Sequence, residues 1–322
     1  MDIWSLALNN LISIPILCFV LGFVATRIKA DLRIPESAMR FLTFFLLLAI
    51  GLKGGVSLRK TEITEMAWPI VATVALGITL PIFVFITLRV MTRLERIDRG
   101  AIAAHYGSTS LVTFTAALVF LEAADVFVED YVVTLLAIME IPGIIVGLML
   151  ASRSGNQRAR HVFANMREVL TSPSIVLLVG GVTIGALAGP ARFVSVEPFF
   201  ADLFTGVLSF FLLQMGITVA TRIGAFADAG PGLAIFAVVF PFVAGTIGVL
   251  AGAAAGLGTG GATMLGVLSA SASYIAAPAA VRLALPTANE GLAITCSLAM
   301  TFPLNMIAGI PFIAYIARLV AT

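Results

Sequence analysis

The sequence carries little charge, and this scarcity excludes most soluble folds. Of its 322 residues, 11% are charged and 60% are hydrophobic, and the mean hydropathy is +1.09. A soluble domain of this length cannot bury so much apolar surface. Uncharged runs at 41–52, 70–88 and 230–268 instead predict an all-α, polytopic membrane protein. Membrane lipid is therefore an expected partner. Nucleic acid is not, because there is no basic patch outside short loops.

Cysteine, histidine and enzyme motifs are also scarce. Cys18 and Cys296 lie far apart in apolar runs, as is typical of small packing residues, and no Cys/His spacing suits a metal site. The motifs HExxH, GxSxG with a triad and the Walker loop are absent. The GTGG at 258–261 is not followed by GKS or GKT, as a phosphate-binding loop would be. We therefore expect a protein that is not an enzyme and has no resident cofactor.

The apolar runs predict ten membrane-spanning helices. They are expected at about 3–26, 35–52, 66–88, 101–121, 130–151, 172–190, 199–220, 231–256, 261–283 and 291–318. Basic residues follow the first run and none precedes it, which favours a retained first helix over a cleaved signal peptide. With the N-terminus outside, fourteen of the nineteen Lys and Arg residues face inward. This predicts a cell (inner) membrane protein with both termini external.

The two halves of the sequence resemble each other. The polar segment 152–171 is expected to be a cytoplasmic linker between two five-helix repeats, 1–151 and 172–322. An odd number of helices per half orients the second half opposite to the first. Matching features recur about 160–165 residues apart: Ile50-Gly51 and Met215-Gly216, the interrupting Pro81 and Pro241, Pro142 and Pro303, and serine-rich stretches at 108–113 and 269–278. We predict a 5+5 inverted-topology repeat.

Two stretches of small polar residues lie inside predicted spans four and nine. Span four contains Gly107, Ser108, Thr109, Ser110 and Thr113, and span nine contains Ser269, Ser271, Ser273, Tyr274 and Pro278. A helix can break at membrane depth only where its freed backbone groups face protein or a cavity. Half-helix N-termini attract anions, while carbonyls and hydroxyls can bind sodium. We predict two crossed, broken helices that form a solute site. Alternatively, the hydroxyls bond to the preceding helical turn or across a helix interface.

Glu140 is the only carboxylate deep inside a predicted span. A carboxylate there costs roughly 2.5–3.5 kcal/mol, so we expect a cation or proton as its partner. An interhelical hydrogen bond or an arginine pair is the alternative, and the neighbouring proline suggests a local distortion. The repeat counterpart of Glu140 lies near Thr301, with Asn305 one turn beyond. His105 suits either a proton relay or packing, and Arg282 suits either anion attraction at the inner mouth or a snorkelling arginine.

Four motifs carry a family resemblance: GLKGGVSLRKTEITEM (51–66), AHYGSTSLVTFTAAL (104–118), IMEIPG (138–143) and SASYIAAPAAVRLALPTAN (271–289). On these motifs the chain resembles the sodium-dependent bicarbonate transporter family, the SbtA-like permeases. The resemblance implies a ten-helix inverted repeat similar to the sodium/proton antiporter and bile-acid symporter folds. It also implies a homotrimer, with substrate and sodium bound where the two broken helices cross, and a small PII-like regulator that docks on the cytoplasmic face.

The resemblance also implies roles for individual residues. The anion and sodium would be held by Ser108, Ser110, Thr113, Ser271 and Ser273. Glu140 would stand where the best-known members have an aspartate, and with Ser110 and Ser273 it is an expected sodium ligand. The chain departs from those members in span nine, where Tyr274 replaces an aspartate and Ala276 and Ala277 replace serine and glycine. It departs again in the 152–171 segment, which is short where those members have a long insert.

The broken helices and the buried carboxylate predict a secondary transporter, and the resemblance implies sodium-coupled uptake of bicarbonate or a similar small anion by alternating access. The predicted binding residues include Thr109, Tyr274 and Asn305 besides the serines, Thr113 and Glu140. One alternative is a transporter of a small carboxylate or a proton-coupled anion. A second is a membrane sensor or channel subunit that signals through a cytoplasmic partner, against which the shortness of the central loop argues.

Overall fold

The computed structural model describes residues 12–152 except 31, 33, 60 and 61, together with 171, 173–222 and 230–321. These residues form helices and connecting turns, and no β-strand occurs among them. The helices are α1 (Ile14–Arg27), α2 (Glu36–Leu58), α3 (Ile63–Met91), α4 (Arg96–Gly107), α5 (Leu111–Ala123), α6 (Val132–Ala151), α7 (Pro173–Phe193), α8 (Phe204–Arg222), α9 (Pro231–Ala254), α10 (Thr259–Ala270), α11 (Ala276–Ala284) and α12 (Glu290–Val320). The predicted all-α class is confirmed.

Within the described ranges, eight helical segments are long and apolar enough to cross a membrane, α4 and α5 counting as one. Two predicted spans do not reach that length as single helices. The first is described only from residue 12, and the ninth is divided between α10 and α11, of 12 and 9 residues. The count of ten therefore stays a prediction. Residues 1–11 and most of the linker, 153–170, lie outside the described residues.

Four helices form a group that we call the panel: α1, α2, α7 and α8. In the panel α2 packs along α7, and α1 packs along α8. A Cβ on Gly55 would collide with the Val182 carbonyl, and one on Gly185 would collide with the Leu52 carbonyl. The backbones of α2 and α7 therefore touch, because these glycines have no side chain to keep the helices apart. Gly189, with a φ of 69°, kinks α7 just before Pro190.

The remaining helices, α3–α6 and α9–α12, form a second group that we call the core unit. Its helices also approach closely, because Gly143 faces the Gly107 carbonyl and Gly248 faces the Ser269 side chain. Contacts between the panel and the core unit are sparser than those within either group. The candidate site lies where the two groups meet.

Three prolines do not disturb their helices as the sequence suggests. Pro81 and Pro241 were expected to interrupt spans three and eight, and Pro142 to distort span five, yet α3, α9 and α6 run through them. A proline removes only one N–H donor, and neighbouring helices can stabilise the bend. Pro303 differs, because it lies between two π-helical segments of α12, Thr295–Thr301 and Asn305–Gly309.

Candidate functional site

Spans four and nine are both broken within their serine-rich stretches. Helix α4 ends at Gly107 and α5 begins at Leu111, while α10 ends at Ala270 and α11 begins at Ala276. Residues at the breaks have extended backbones, with ψ of 177° at Ser108 and 168° at Ser271. The hydroxyl residues at both breaks favour this geometry, because their side chains replace the helical partners of nearby N–H groups.

Each break supplies hydrogen-bond partners to the other. The Ser110 N–H donates to Ser271 Oγ over 2.9 Å, and the Ser273 N–H donates to the His105 carbonyl over 2.8 Å. All four residues are buried, so these donors would be costly to leave without a partner. The two interrupted helices therefore meet at their breaks and stabilise each other there.

In each broken helix, one serine caps the second half. Ser110 Oγ accepts from the Thr113 N–H at 3.2 Å and from Thr113 Oγ1 at 3.0 Å. Ser273 Oγ accepts from the N–H groups of Ala276 and Ala277 at 3.3 and 3.2 Å. A hydroxyl has two lone pairs and one proton. Because both lone pairs of each serine accept within the protein, what each has left to offer a ligand is its O–H.

A small cavity lies against both breaks. Its volume available to the centre of a water molecule is about 20 Å³, enough for one or two water-sized species. Among the predicted binding residues, it brings together Thr109, Ser110, Glu140, Ser273 and Tyr274. Leu111, Leu136 and Ile275 supply apolar walls, and Leu47 of α2 and Ser174 of α7 close the cavity from the panel.

Glu140 lies in this cavity without a partner. Its side chain is 6% exposed, and it forms neither an ion pair nor a hydrogen bond with any residue that the structure describes. The arginine pair and the interhelical hydrogen bond considered for it are therefore not made there. A carboxylate buried among apolar side chains is stable only if it is protonated or if it binds a cation.

Other polar atoms at the breaks also lack partners. Thr109 Oγ1 and Ser108 Oγ are buried and without a hydrogen bond. The buried Tyr274 hydroxyl lies beside the Ser110 side chain but outside hydrogen-bonding geometry. Thr109 and Tyr274 line the cavity, whereas Ser108 does not. Buried polar atoms are normally satisfied, so this concentration of unpaired oxygens indicates a place for a polar ligand or water.

Four predicted binding residues do not line the cavity. Besides Ser108 these are Thr113, Ser271 and Asn305. Thr113 and Ser271 stabilise the crossing, and Ser271 also donates back to the Leu268 carbonyl at 2.9 Å. Asn305 Nδ2 donates to the Ala270 carbonyl at 2.9 Å, which satisfies the last residue of α10. For Ser271 the alternative of bonding to the preceding turn is thus realised.

His105 and Arg282, for each of which the sequence leaves two roles, lie outside the small cavity. His105 is fully buried, and its ring lies beside the Ser273 backbone without either nitrogen reaching hydrogen-bonding geometry. Its carbonyl, not its ring, is what joins the two breaks. Arg282 forms a salt bridge of 2.7 Å with Glu290. Its charge is therefore paired within the protein.

Ser174 and Leu47 are cavity residues that sequence reasoning missed. Both belong to the panel, and neither stands in an unusual sequence pattern. Ser174 follows Pro173 in the first turn of α7, where a serine is ordinary. Its place in the cavity depends on how the panel packs against the core unit, which sequence spacing does not report.

A larger cavity, which we call the vestibule, opens at one end of α2 and α6. Its volume is about 510 Å³, and its charged lining residues are Lys53, Glu122, Asp125, Glu129 and Asp130. Its deep wall includes Ile50 of α2 and Val133 of α6. Each of these lies about one turn from a residue of the small cavity, Leu47 and Leu136. The vestibule therefore approaches the small cavity along the panel boundary.

Comparison with known protein families identifies a match. A family model described as the Na⁺-dependent bicarbonate transporter superfamily matches residues 15–318, nearly the whole chain. No curated protein matches the chain significantly.

Proposed function

Because the chain belongs to the Na⁺-dependent bicarbonate transporter superfamily, we propose that it takes up bicarbonate or a similar small anion, driven by sodium. Membership makes it a multi-pass membrane transporter and not an enzyme. The observation that carries the proposal is Glu140, a buried carboxylate that faces a cavity without a protein partner. A cation that travels with the substrate would supply that partner in one half of the cycle.

The anion would bind to the serine hydroxyls that cap the half-helices. Ser110 and Ser273 each have an O–H left to donate, and the positive N-termini of α5 and α11 lie behind them. Of the two roles expected of these serines, binding the anion and binding sodium, this favours the first. The cavity as it stands holds a water-sized species, so a four-atom anion would require it to widen.

Sodium would bind to oxygen atoms that are not already accepting hydrogen bonds. Glu140, Thr109 Oγ1 and the Tyr274 hydroxyl meet that condition. In the described part of the chain, no group of three or more His, Cys, Asp or Glu side chains is arranged so that it could hold a metal ion. The site would therefore use one carboxylate and several neutral oxygens, as suits a hard, singly charged ion.

Alternating access would arise from movement of the core unit against the panel. The panel contributes only Leu47 and Ser174 to the cavity, and its contacts with the core unit are sparse. The pairing of α1 with α8 and of α2 with α7 is what a 5+5 inverted repeat produces, since each pair maps onto the other. The vestibule would be the external mouth, with both termini outside. Homotrimer formation and the docking of a PII-like regulator stay predictions.

Uptake of labelled bicarbonate into proteoliposomes tests the proposal. An inward sodium gradient should drive accumulation, and Glu140→Gln should reduce it at least tenfold while the protein keeps its thermal stability. Glu36→Gln is the matched control, since Glu36 is exposed and pairs only with Arg40 at the surface. Accumulation that is equal with and without sodium would exclude sodium coupling.

Proton coupling is the second candidate, and the same carboxylate favours it. An unpaired glutamate can carry a proton as well as a sodium ion, and Tyr274 provides no carboxylate beside it. A pH gradient without sodium would then drive uptake. If bicarbonate is not the substrate, a small carboxylate should stabilise the purified protein in a thermal-shift panel where bicarbonate does not.

A further inference from the structure

An arginine-lined cavity lies at the opposite end of span four from the vestibule. Its volume is about 650 Å³, and we call it the arginine pocket. Arg96 and Arg99 of α4 line it, together with Glu95, Ser152 and Thr287. It has no residue in common with the small cavity or the vestibule. None of the roles derived above uses it.

Both guanidinium groups lie close to one aromatic ring. Their central carbons lie 5.9 and 5.1 Å from the centre of the same Phe85 ring, for Arg96 and Arg99 respectively. Arg96 Nε also donates to the Leu150 carbonyl at 2.8 Å, which fixes it against the end of α6. Two like charges close to one ring repel each other, and an anion bound by both in the cavity that they line would relieve that repulsion.

The positive charge at this end is not neutralised by ion pairs. Among the described residues, Arg89, Arg93, Arg96 and Arg99 make no salt bridge, and Arg99 Nε is buried without a hydrogen-bond partner. Two carboxylates lie nearby. Asp98 accepts from the Asn289 N–H at 2.7 Å, and Glu95 lines the pocket. The four arginines therefore keep a net excess of positive charge.

The first turn of α4 adds backbone donors. The N-cap residue, Glu95, makes no capping hydrogen bond with its side chain, so the first N–H groups of this twelve-residue helix lack a side-chain cap. The N-terminus of a helix attracts anions through these N–H groups and its dipole. The arginines and the helix start thus converge on one cavity.

We propose that the arginine pocket binds a phosphate group. Arginine presents a planar fork of donors that matches phosphate oxygens, and a helix N-terminus complements it. The same chemistry is offered by the headgroup of an anionic phospholipid and by a soluble phosphate compound. Bound phosphate would link the start of α4 to the end of α6 and to Thr287, which lies between α11 and α12, and so would stabilise the core unit. The proposal does not depend on what is transported.

The test uses the full-length protein and measures thermal unfolding in two arms. The soluble arm titrates inorganic pyrophosphate against sodium chloride of equal ionic strength. The lipid arm compares nanodiscs of phosphatidylcholine with nanodiscs that also contain phosphatidylglycerol. Arg99→Gln should weaken apparent binding at least tenfold, about 1.4 kcal/mol. Arg27→Gln is the matched control, because it removes an exposed arginine remote from the pocket and should bind as the wild type does.

The outcomes separate the two sources. Saturable stabilisation by pyrophosphate that is lost in Arg99→Gln identifies a soluble phosphate. Stabilisation by phosphatidylglycerol but not by pyrophosphate, lost in Arg99→Gln, identifies a lipid headgroup. If Arg99→Gln does not fold, Arg99→Lys keeps the charge without the fork and should weaken binding at least threefold. No stabilisation in either arm, or equal stabilisation of wild type and both Arg99 variants, overturns the proposal.

Discussion

Ser110 and Ser273 show how a single hydroxyl can serve both the fold and the solute. Each accepts two hydrogen bonds from the helix that follows it, which leaves only its proton to offer. A capping serine is therefore already oriented toward an anion before the anion arrives. This preorganisation avoids part of the entropy that binding would otherwise lose.

Removing either cap should weaken stability and anion binding together. Ser110→Ala and Ser273→Ala should each lower stability by about 1 kcal/mol through the lost cap. Each should also raise the apparent Kd for bicarbonate at fixed sodium, while the sodium dependence stays unchanged. Thermal unfolding and substrate titration measure the two effects. Ser195→Ala, at an exposed serine, is the control and should change neither. A loss of sodium affinity instead would make these serines sodium ligands.

Two tyrosines with buried hydroxyl groups should respond differently to removal of the hydroxyl. The Tyr106 hydroxyl bonds to Thr301 Oγ1 at 2.7 Å, and it must be the donor, since Thr301 donates to the Ala237 carbonyl. Tyr106→Phe should therefore lower stability by about 1 kcal/mol. Tyr274→Phe removes a hydroxyl without a partner, so stability should stay within about 0.5 kcal/mol.

The functional readout of this pair is the sodium concentration for half-maximal uptake. It should rise in Tyr274→Phe and stay constant in Tyr106→Phe. Equal sodium dependence in both variants would remove Tyr274 from the proposed sodium site.

At the scale of elements, the GTGG sequence at 258–261 has a structural purpose. Glu129 Oε1 accepts from the Gly258 N–H at 2.6 Å, so a carboxylate from the α5–α6 loop caps the start of α10. A Cβ on Gly260 would collide with the Phe127 carbonyl. The glycines thus let that loop lie directly on the first half of the broken span.

Substitutions in this contact should destabilise the protein more when the new side chain meets rigid backbone than when only a charge is lost. Gly260→Ala meets backbone and should lower stability by about 1–3 kcal/mol. Glu129→Gln keeps the shape but loses the charge, and should cost about 0.3–1 kcal/mol. Gly180→Ala is the control, because its Cβ would meet nothing within 4 Å, and alanine should raise helix stability. Thermal unfolding of the three variants decides. Unchanged stability in Gly260→Ala would mean that the loop contact is not made.

At the scale of elements, the sequence could predict features that depend on neighbouring residues in the chain, but not those that depend on packing between distant helices. Small polar residues at 108–110 and 271–275 indicate the breaks, because their side chains compete with helical hydrogen bonds wherever the chain folds. Glu140 could be identified from its apolar surroundings alone. The role of Ser174 could not, since it depends on packing between distant helices. The continuity of α3 through Pro81 could not be predicted either, because packing against neighbouring helices decides whether a proline breaks a helix or only bends it.

At the scale of the whole molecule, the proposed mechanism depends on which end of the boundary opens. The vestibule and the small cavity lie along the same face of α2 and α6, with the panel on one side and the core unit on the other. Movement that widens this boundary would connect the two cavities. Movement that narrows it would close the external path.

Labelling of a single cysteine can follow this movement. Val119→Cys lies in the vestibule, and the native Cys18 and Cys296 can be replaced by alanine. A membrane-impermeant maleimide added outside should label Val119→Cys, and sodium with bicarbonate should slow labelling several-fold as the boundary closes. Ser152→Cys, at the opposite end, is the control and should resist external reagent. Labelling of Ser152→Cys but not Val119→Cys would reverse the proposed orientation.

The crossing of the two breaks also has an evolutionary consequence. Ser108 and Ser271 occupy corresponding places in the two stretches, yet Ser271 accepts the Ser110 N–H while Ser108 has no partner. The matching donor, the Ser273 N–H, bonds to a backbone carbonyl instead. If the halves descend from one duplicated gene, they have since divided a shared task, one serine joining the breaks and the other becoming free. The two breaks are therefore not equivalent in their hydrogen bonds, although each is rich in serine.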